Sequence, residues 1–310
     1  MRKFETEEGR LVSYDTIPEY YRMLKRPILP GRDNSSMTGS KNFTGTENYE
    51  EAERLMVGGD RESLTEMVDI KTKLDQEYQT SPSSRRITYE SPTGYTPIVP
   101  NAILGLPNSM RNTKVIKRDS KIVDIVCNQS WRAMTPKSVI SYNGAFVLSY
   151  IDVLERDGYR VNLYVGKLAR RDNGDSYGHI VRIKKDSEPL NIYQVSFYLI
   201  NPSYLRRIAF RIDENEDYLY DETYNGYGSA TGYHASREMI RKSLDSDTLI
   251  FIDSTTGIRP DKEFDENFEI IQKEFDKTVY NWEYSRYNVF TNQTYGGNWY
   301  GLQYIILLHN

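Results

Sequence analysis

The chain has 310 residues, 38% of them hydrophobic, which is enough for one large domain or two smaller ones with packed cores. Its formal net charge of −4 provides no overall positive field that would attract nucleic acid or an anionic membrane. A single cysteine excludes an intrachain disulfide framework and favours a reducing compartment, and no stretch approaches the ~18 apolar residues of a membrane-spanning helix. We therefore expect a soluble, cytoplasmic protein with no membrane partner.

The first part of the chain is predicted to be helical. Residues 43–58 and 60–78 have apolar residues at helical spacing and should form a helical hairpin. Residues 79–100 contain four prolines and are predicted to form a linker, with the domain boundary near residue 90. The expected domains are an N-terminal helical region, 1–90, and an α/β domain, 91–310.

Three short apolar runs in the second part of the chain predict a parallel sheet. The run at 122–126 suits a strand that is covered on both faces, and Thr135 followed by Pro136 is typical of a helix start. The helix should extend over 135–156, and alternating residues at 161–165 predict a second strand that completes a right-handed crossover. A third strand is predicted at 249–252. The sequence therefore indicates an α/β fold, in which a mainly parallel, Rossmann-like sheet is flanked by helices and has an N-terminal helical extension.

The remaining elements are predicted from the same patterns. Leu205, Ile208 and Ile212 lie at helical spacing after Asn201-Pro202, so a helix is expected there, with its arginines Arg206, Arg207 and Arg211 turned outward. The other expected elements are strands at 179–184, 193–200 and 304–308 and helices at 236–244 and 264–275.

Most sequence signatures of catalysis are missing. The three histidines and Cys127 have none of the paired spacings of zinc sites, and the glycines at 226–232 follow no clear strand and lack a companion lysine. No serine lies in a G-x-S-x-G turn of the kind that exposes a nucleophile. We therefore assign no catalytic residue from the sequence.

The ends of the predicted parallel strands provide the candidate metal ligands. Asn128 and Ser130 follow the first strand and Asp253 follows the third, and ligands of open parallel sheets bind beyond these carboxyl ends. Oxygen ligands of this kind suit Mg²⁺ or Ca²⁺, so Mg²⁺ is the one cofactor for which the sequence offers candidate ligands. The alternative is that the same side chains cap helices and close turns.

The order of strand, polar loop, long buried helix and second strand resembles the first half of a von Willebrand factor A-type domain. In that family a D-x-S-x-S motif after the first strand forms the upper rim of a metal-dependent adhesion site. On this chain the motif falls on Asn128, Ser130 and Arg132, and only the central serine agrees. The resemblance covers residues 120–166 and 247–279 and implies a von Willebrand A-like core with a degenerate metal site.

A second resemblance runs over roughly residues 43–230. The segments FTGTENYEEAERLMVGGD, PIVPNAILGLPNSMRN, GAFVLSYIDVLERDGYRV and NPSYLRRIAFR, followed by GYG, are similar, in the same order, to uncharacterised proteins encoded by tailed bacteriophages. This resemblance implies a phage origin, the host cell cytoplasm as location, and a single unit that joins the N-terminal helices to the sheet. It implies no activity.

Three functional hypotheses follow. The favoured one is a phage-encoded, non-catalytic protein that binds a macromolecular partner, with a phage or host protein ahead of nucleic acid. The second is a nucleic-acid-associated protein, in which arginines meet phosphates and tyrosines stack on bases. The third is a divalent-metal hydrolase that uses Asp253 and Asp124. The predicted partner-binding residues are Arg206, Arg207, Arg211, Tyr224 and Tyr227.

Overall fold

The computed structural model describes residues 1–32, 34–77, 86–115, 121–170, 176–219, 229–230, 233–254, 256–263 and 265–273. Their main feature is a seven-stranded sheet with the order β1-β2-β8-β7-β6-β10, to which β9 is added by pairing with β7. Its strands are β1 (Arg2–Thr6), β2 (Gly9–Tyr14), β6 (Ile122–Asn128), β7 (Arg160–Arg170), β8 (Ser176–Lys184), β9 (Ser229–Ala230) and β10 (Leu249–Ile252). A separate three-stranded sheet contains β3 (Arg86–Ser91), β4 (Thr96–Pro97) and β5 (Met110–Val115).

The three predicted parallel strands are confirmed. β7, β6 and β10 lie side by side and point in the same direction, with Ile125 opposite Leu163 on one side and opposite Ile250 on the other. Their side chains are buried on both faces of the sheet, which explains the continuous apolar runs. These strands form the centre of the fold.

The whole sheet is mixed, and in this respect the expectation of a mainly parallel sheet needs correction. β8 runs antiparallel to β7 and parallel to β2, and β1 runs antiparallel to β2. The N-terminal region is therefore not only helical, because its first two strands belong to the main sheet. The division predicted near residue 90 falls within β3.

Helices cover both faces of the main sheet. The larger layer packs on the face that includes Val12, Ile125 and Leu163, and α9 covers the opposite face with Met239 and Ile240. Within the described ranges, every helix is too short or too polar to cross a lipid bilayer. The helices are α1 (Ile17–Leu24), α2 (Lys41–Thr44), α3 (Tyr49–Gly58), α4 (Arg61–Glu77), α5 (Val99–Ile103), α6 (Lys137–Arg156), α7 (Ile192–Ile200), α8 (Phe210–Asn215), α9 (Tyr233–Leu244) and α10 (265–273).

The predicted crossover helix is α6, which begins just after Pro136 and ends before Gly158. Gly158 has φ +90°, a left-handed conformation that favours glycine at the end of a helix. A Cβ atom on Gly144 would lie 2.4 Å from Cγ2 of Ile200, so this glycine allows α6 and α7 to approach closely. The helix is buried along most of its circumference, as its sequence predicts.

Residues 193–200 form a helix, and their prediction as a strand was wrong. The Asn191 side chain accepts a hydrogen bond from the backbone N–H of Gln194 and caps α7. From Val195 to Ile200 every side chain is buried among neighbouring helices. A short run that is apolar on all sides suits both a covered strand and an enclosed helix, so its pattern does not separate the two.

The helix predicted after Pro202 begins with a π-helical segment, Tyr204–Ala209, and continues as α8. A π-helix has i→i+5 hydrogen bonds and is wider than an α-helix, so it changes which side chains share a face. In this segment all six side chains are buried, including Arg206 and Arg207. The expectation that these two arginines point outward is wrong.

Candidate functional site

The predicted metal-binding residues come together at the carboxyl edge of the sheet. Asn128 is the last residue of β6 and Asp253 directly follows β10, and the parallel register of these strands places both at the same edge. Asn128 Oδ1 accepts hydrogen bonds from the N–H of Ser130 at 3.1 Å and of Leu168 at 3.0 Å. The Ser130 hydroxyl donates to the Leu168 carbonyl at 2.8 Å. These two side chains thus extend the hydrogen-bonding pattern between β6 and β7.

This arrangement does not fit a Mg²⁺ site. The oxygens of Asn128 and Ser130 already bind backbone groups, which leaves Asp253 as the one carboxylate among the three predicted ligands. No group of three or more His, Cys, Asp or Glu side chains that could hold a metal occurs in the described part of the chain. Asp124, the other residue of the hydrolase hypothesis, pairs with Leu249 and lies roughly 13 Å along the strands from the level of Asp253.

Cys127 is also unsuited to chemistry at this edge. It is buried, and burial raises the pKa of its thiol to about 12. The thiol is therefore protonated at neutral pH, and only the thiolate is an effective nucleophile.

A cleft of about 530 Å³ opens at the N-terminus of α6. The loop that leaves β6 forms one wall, and the segments around α2 and the start of α4 form the others. We call it the rim cleft. Its lining residues include Lys41, Phe43, Asp60, Met134, Lys137 and Arg206.

Arg206 joins two walls of the rim cleft. Its guanidinium donates hydrogen bonds to the carbonyls of Phe43 and, at 3.2 Å, of Ala133, and it stacks 4.0 Å from the centre of the Phe43 ring. The side chain is 7% exposed, and its burial lowers the pKa of the guanidinium. It has no carboxylate partner within 4.0 Å among the described residues. The cleft thus contains a buried positive charge.

Arg207 has a different position and is 0% exposed. Its five N–H donors lie within hydrogen-bonding distance of seven acceptors in the segment between Ser36 and Glu47, which are five backbone carbonyls and the hydroxyls of Thr44 and Thr46. This enclosure leaves Arg207 no surface for a partner to contact. Arg211 is partly buried and donates to the Arg26 carbonyl at 3.2 Å. Tyr224 and Tyr227 lie outside the described residues.

A buried polar network that the sequence analysis missed links the sheet to α1 and α8. His179 Nε2 lies 3.1 Å from the Tyr20 hydroxyl, and its Nδ1 lies 3.5 Å from a carboxylate oxygen of Asp213. The other oxygen of Asp213 accepts a hydrogen bond from the ammonium of Lys167. Although burial alone would raise it, the pKa of Asp213 is lowered by Lys167 and His179. The pairing of β7 with β8 brings Lys167 and His179 together, and the packing of α1 and α8 against the sheet adds Tyr20 and Asp213.

Acid is expected to destabilise the protein through His179. Burial lowers the pKa of this imidazole below its usual value, with Asp213 opposing part of the effect. In the unfolded chain this imidazole binds a proton at about pH 6.5, whereas in the folded protein it does so only at a lower pH. The free energy of unfolding therefore decreases as the pH falls from about 6.5 through the pKa of the folded state. Urea unfolding of the wild type and of His179→Gln between about pH 8 and pH 5 tests this. The variant should lose less stability on acidification, and equal losses would contradict the assignment.

Residues 91–110 form an uncharged and largely apolar segment, which we call the apolar arm. The β4–β5 pairing and a hydrogen bond of 2.7 Å from the N–H of Ile98 to the Ser109 carbonyl hold the arm together. Ile103 is 80% and Leu104 73% exposed, although both are aliphatic. The exposed large apolar residues of the arm are Tyr95, Val99, Ile103, Leu104 and Leu106.

Comparison with known proteins places most of the chain in one family. A family model that describes a domain of unknown function matches residues 5–277 and so spans the strands and helices of the main sheet. No curated protein and no solved structure matches the chain.

Proposed function

The chain belongs to the family of the domain of unknown function DUF7192, and because that description names no activity, we propose a function from the geometry and from the sequence. The protein is a non-catalytic binding protein that docks on another protein through its apolar arm. The resemblances in the sequence support two finer parts of the proposal, a phage origin and a von Willebrand A-like scaffold.

The exposed aliphatic surface of the arm is the observation that carries this proposal. Soluble proteins rarely leave neighbouring large apolar side chains in water, and contiguous patches of this kind are typical of interaction sites. The arm also lacks any charged residue from Ser91 to Met110, in a chain of which 27% is charged. Depletion of charge is a feature of the central part of protein–protein interfaces.

The chemistry of the arm specifies its partner. The side chains of Ile103 and Leu104 offer neither a hydrogen bond nor a charge. They therefore stabilise a complex only when an apolar surface of the partner removes them from water. A nucleic acid presents phosphates and would leave these side chains without a suitable contact. We therefore expect a phage or host protein with an uncharged, apolar groove.

The nucleic-acid alternative has less support from the geometry. Arg206 and Arg207 are engaged with backbone carbonyls within the fold, and Arg211 is partly buried. Phosphate contacts need arginines that are exposed at the surface and can reach the phosphates of the nucleic acid. The hydrolase alternative is weakened by the separation of Asp124 from Asp253.

Substitution of the arm should abolish partner binding without unfolding the protein. The partner would be captured on the wild-type chain from infected host cells, identified and purified, and its Kd measured by calorimetry. The double variant Ile103→Asn/Leu104→Asn should bind at least about 100-fold more weakly, because each buried aliphatic side chain contributes about 1.5–3 kcal/mol.

A matched control is the pair Val57→Asn/Val68→Asn, which also replaces two exposed aliphatic residues but lies on α3 and α4. It should retain the wild-type Kd. Equal affinity of the partner for the arm variant and the wild type would refute the proposal. Turnover of a substrate by the purified chain would refute its non-catalytic part.

A further inference from the structure

We propose that a pocket where β1 and β2 meet α1 binds a phosphate group. The pocket has a volume of about 310 Å³, and its lining residues are Met1, Tyr14, Glu19, Arg22, Met23 and Arg26. We call it the α1 pocket. It shares no residue with the rim cleft or the apolar arm, so the inference does not depend on the proposed function.

The local structure brings two arginines to the α1 pocket. Arg22 lies in the last turn of α1, and a hydrogen bond of 3.1 Å from the N–H of Arg26 to the Met23 carbonyl continues this turn. Both arginines are exposed, and neither guanidinium forms a hydrogen bond or an ion pair with another described residue. Like charges four residues apart on a helix repel each other, and an anion between them would remove this repulsion.

A buried hydroxyl is the second, independent feature of the pocket. Tyr14 lines the pocket although it is 0% exposed, and its hydroxyl has no hydrogen-bond partner among the described residues. Burial and the carboxylate of Glu216 raise the pKa of this phenol, whereas Arg26 lowers it, so the hydroxyl lies within electrostatic reach of a pocket arginine. A buried hydroxyl without an acceptor costs free energy, and an oxygen of a ligand would remove that cost.

The acidic groups near the α1 pocket already have partners. Glu19 accepts hydrogen bonds from the N–H of Asp15 at 3.0 Å and from the amino group of Met1. Glu216 accepts a hydrogen bond from the ammonium of Lys3 at 2.5 Å. The charges of the two arginines are therefore not compensated within the pocket.

The donors of the pocket specify a phosphate group. The planar N–H pairs of Arg22 and Arg26 match the oxygens of a phosphate, and the Tyr14 hydroxyl can donate to a further oxygen. Two positive charges also suit a phosphate dianion better than a single carboxylate. Arg22 additionally compensates the negative end of the α1 dipole, but this interaction is weaker than a charge-assisted hydrogen bond.

The variant Tyr14→Phe tests the role of the hydroxyl, because it leaves the ring in place. Without a ligand, it should resist urea at least as well as the wild type, since no hydrogen bond is lost. Its affinity for inorganic phosphate, measured by calorimetry at constant ionic strength, should fall about fivefold. A variant that is less stable, yet binds phosphate as tightly as the wild type, would assign the hydroxyl to a buried water and overturn the proposal.

The variant Arg22→Gln/Arg26→Gln tests the charge of the pocket and should bind phosphate at least about tenfold more weakly. The matched control Arg54→Gln/Arg61→Gln removes the same charge from exposed arginines on α3 and α4 and should keep the wild-type affinity. Equal losses in both variants would reduce the effect to net charge and contradict a site at α1. Absence of saturable phosphate binding to the wild type would contradict it as well.

Two further ligands define the chemistry of the site. Acetate should bind at least about tenfold more weakly than phosphate, because it has one charge and two oxygens. Acetate that binds as tightly would overturn the choice of phosphate over a carboxylate. Phenyl phosphate separates the two sources of a phosphate group, since tighter binding than that of inorganic phosphate supports an ester and weaker binding supports the free ion.

Discussion

Replacing Arg207 with methionine is expected to lower the free energy of unfolding by about 4 kcal/mol. Methionine fills much of the same space but has no donor for the seven acceptors that the arginine contacts. The buried carbonyl of Ser36 would then lose its hydrogen bond, and the Thr46 carbonyl would keep only the one from the Thr44 hydroxyl. The segment between Ser36 and Glu47 should loosen first. Urea unfolding followed by circular dichroism measures the loss.

The control for this prediction is Arg54→Met on the neighbouring helix α3. Arg54 is exposed, so its replacement should change the free energy of unfolding by no more than about 0.5 kcal/mol. If both variants were equally stable, the hydrogen bonds of Arg207 would contribute nothing beyond those that water supplies. That result would contradict the role assigned to this arginine.

Replacing Asp213 with alanine is expected to cost roughly 3–5 kcal/mol at neutral pH. The carboxylate accepts a hydrogen bond from the buried ammonium of Lys167 and faces the ring of His179. Its removal takes a hydrogen-bonded carboxylate away from a positive charge within the core, and the loss of one member of a buried ion pair is more costly than replacement of the whole pair. Denaturant unfolding at about pH 7 would measure the difference.

Asp217→Ala provides the comparison, because this exposed carboxylate follows closely in the sequence and lies 3.9 Å from Arg32. Its loss should have an effect of no more than about 1 kcal/mol, as is usual for ion pairs in water. A variant of Asp213 that unfolds at the same urea concentration as Asp217→Ala would show that the network does not depend on the carboxylate.

The centre of the fold could be predicted from the sequence because several local signals agreed there. The apolar run at 122–126, the proline before α6, the glycine after it and the alternation at 161–165 all indicate the same crossover. Strand β10 was predicted at its observed limits, since a run of only four apolar residues is short for a helix and suits a covered strand.

The elements outside this centre depend on contacts that a local pattern does not contain. β1 and β2 include many charged residues and become strands because β2 pairs with β8, more than 160 residues away. The described part of the predicted linker contains part of a small sheet, because Pro92 follows β3, Pro97 ends β4 and Pro100 lies at the start of α5, so that none of them interrupts the pairing of β3 with β5.

In the candidate sites, too, the positions that follow from local patterns could be predicted and the long-range contacts could not. The sequence correctly placed Asn128 and Asp253 at one edge of the sheet, because the carboxyl ends of parallel strands must meet there. It could not reveal that the oxygens of Asn128 and Ser130 bind Leu168, on the next strand. The signal of the apolar arm, a run of 20 residues without charge, is visible in the sequence, although the predicted linker at 79–100 includes only its first half.

Around the π-helical segment Tyr204–Ala209, the number of residues matters as much as their identity. A π-turn contains about one residue more than an α-turn, so a deletion of one residue within it can be absorbed by its return to an α-turn, whereas a deletion between Phe210 and Asp213 would rotate Asp213 by about 100° relative to Arg207. Such a deletion in α8 would keep Arg207 or Asp213 in place, but not both. We would therefore expect insertions and deletions to accumulate in other parts of the chains of this family, while the spacing from Phe210 to Asp213 stays fixed.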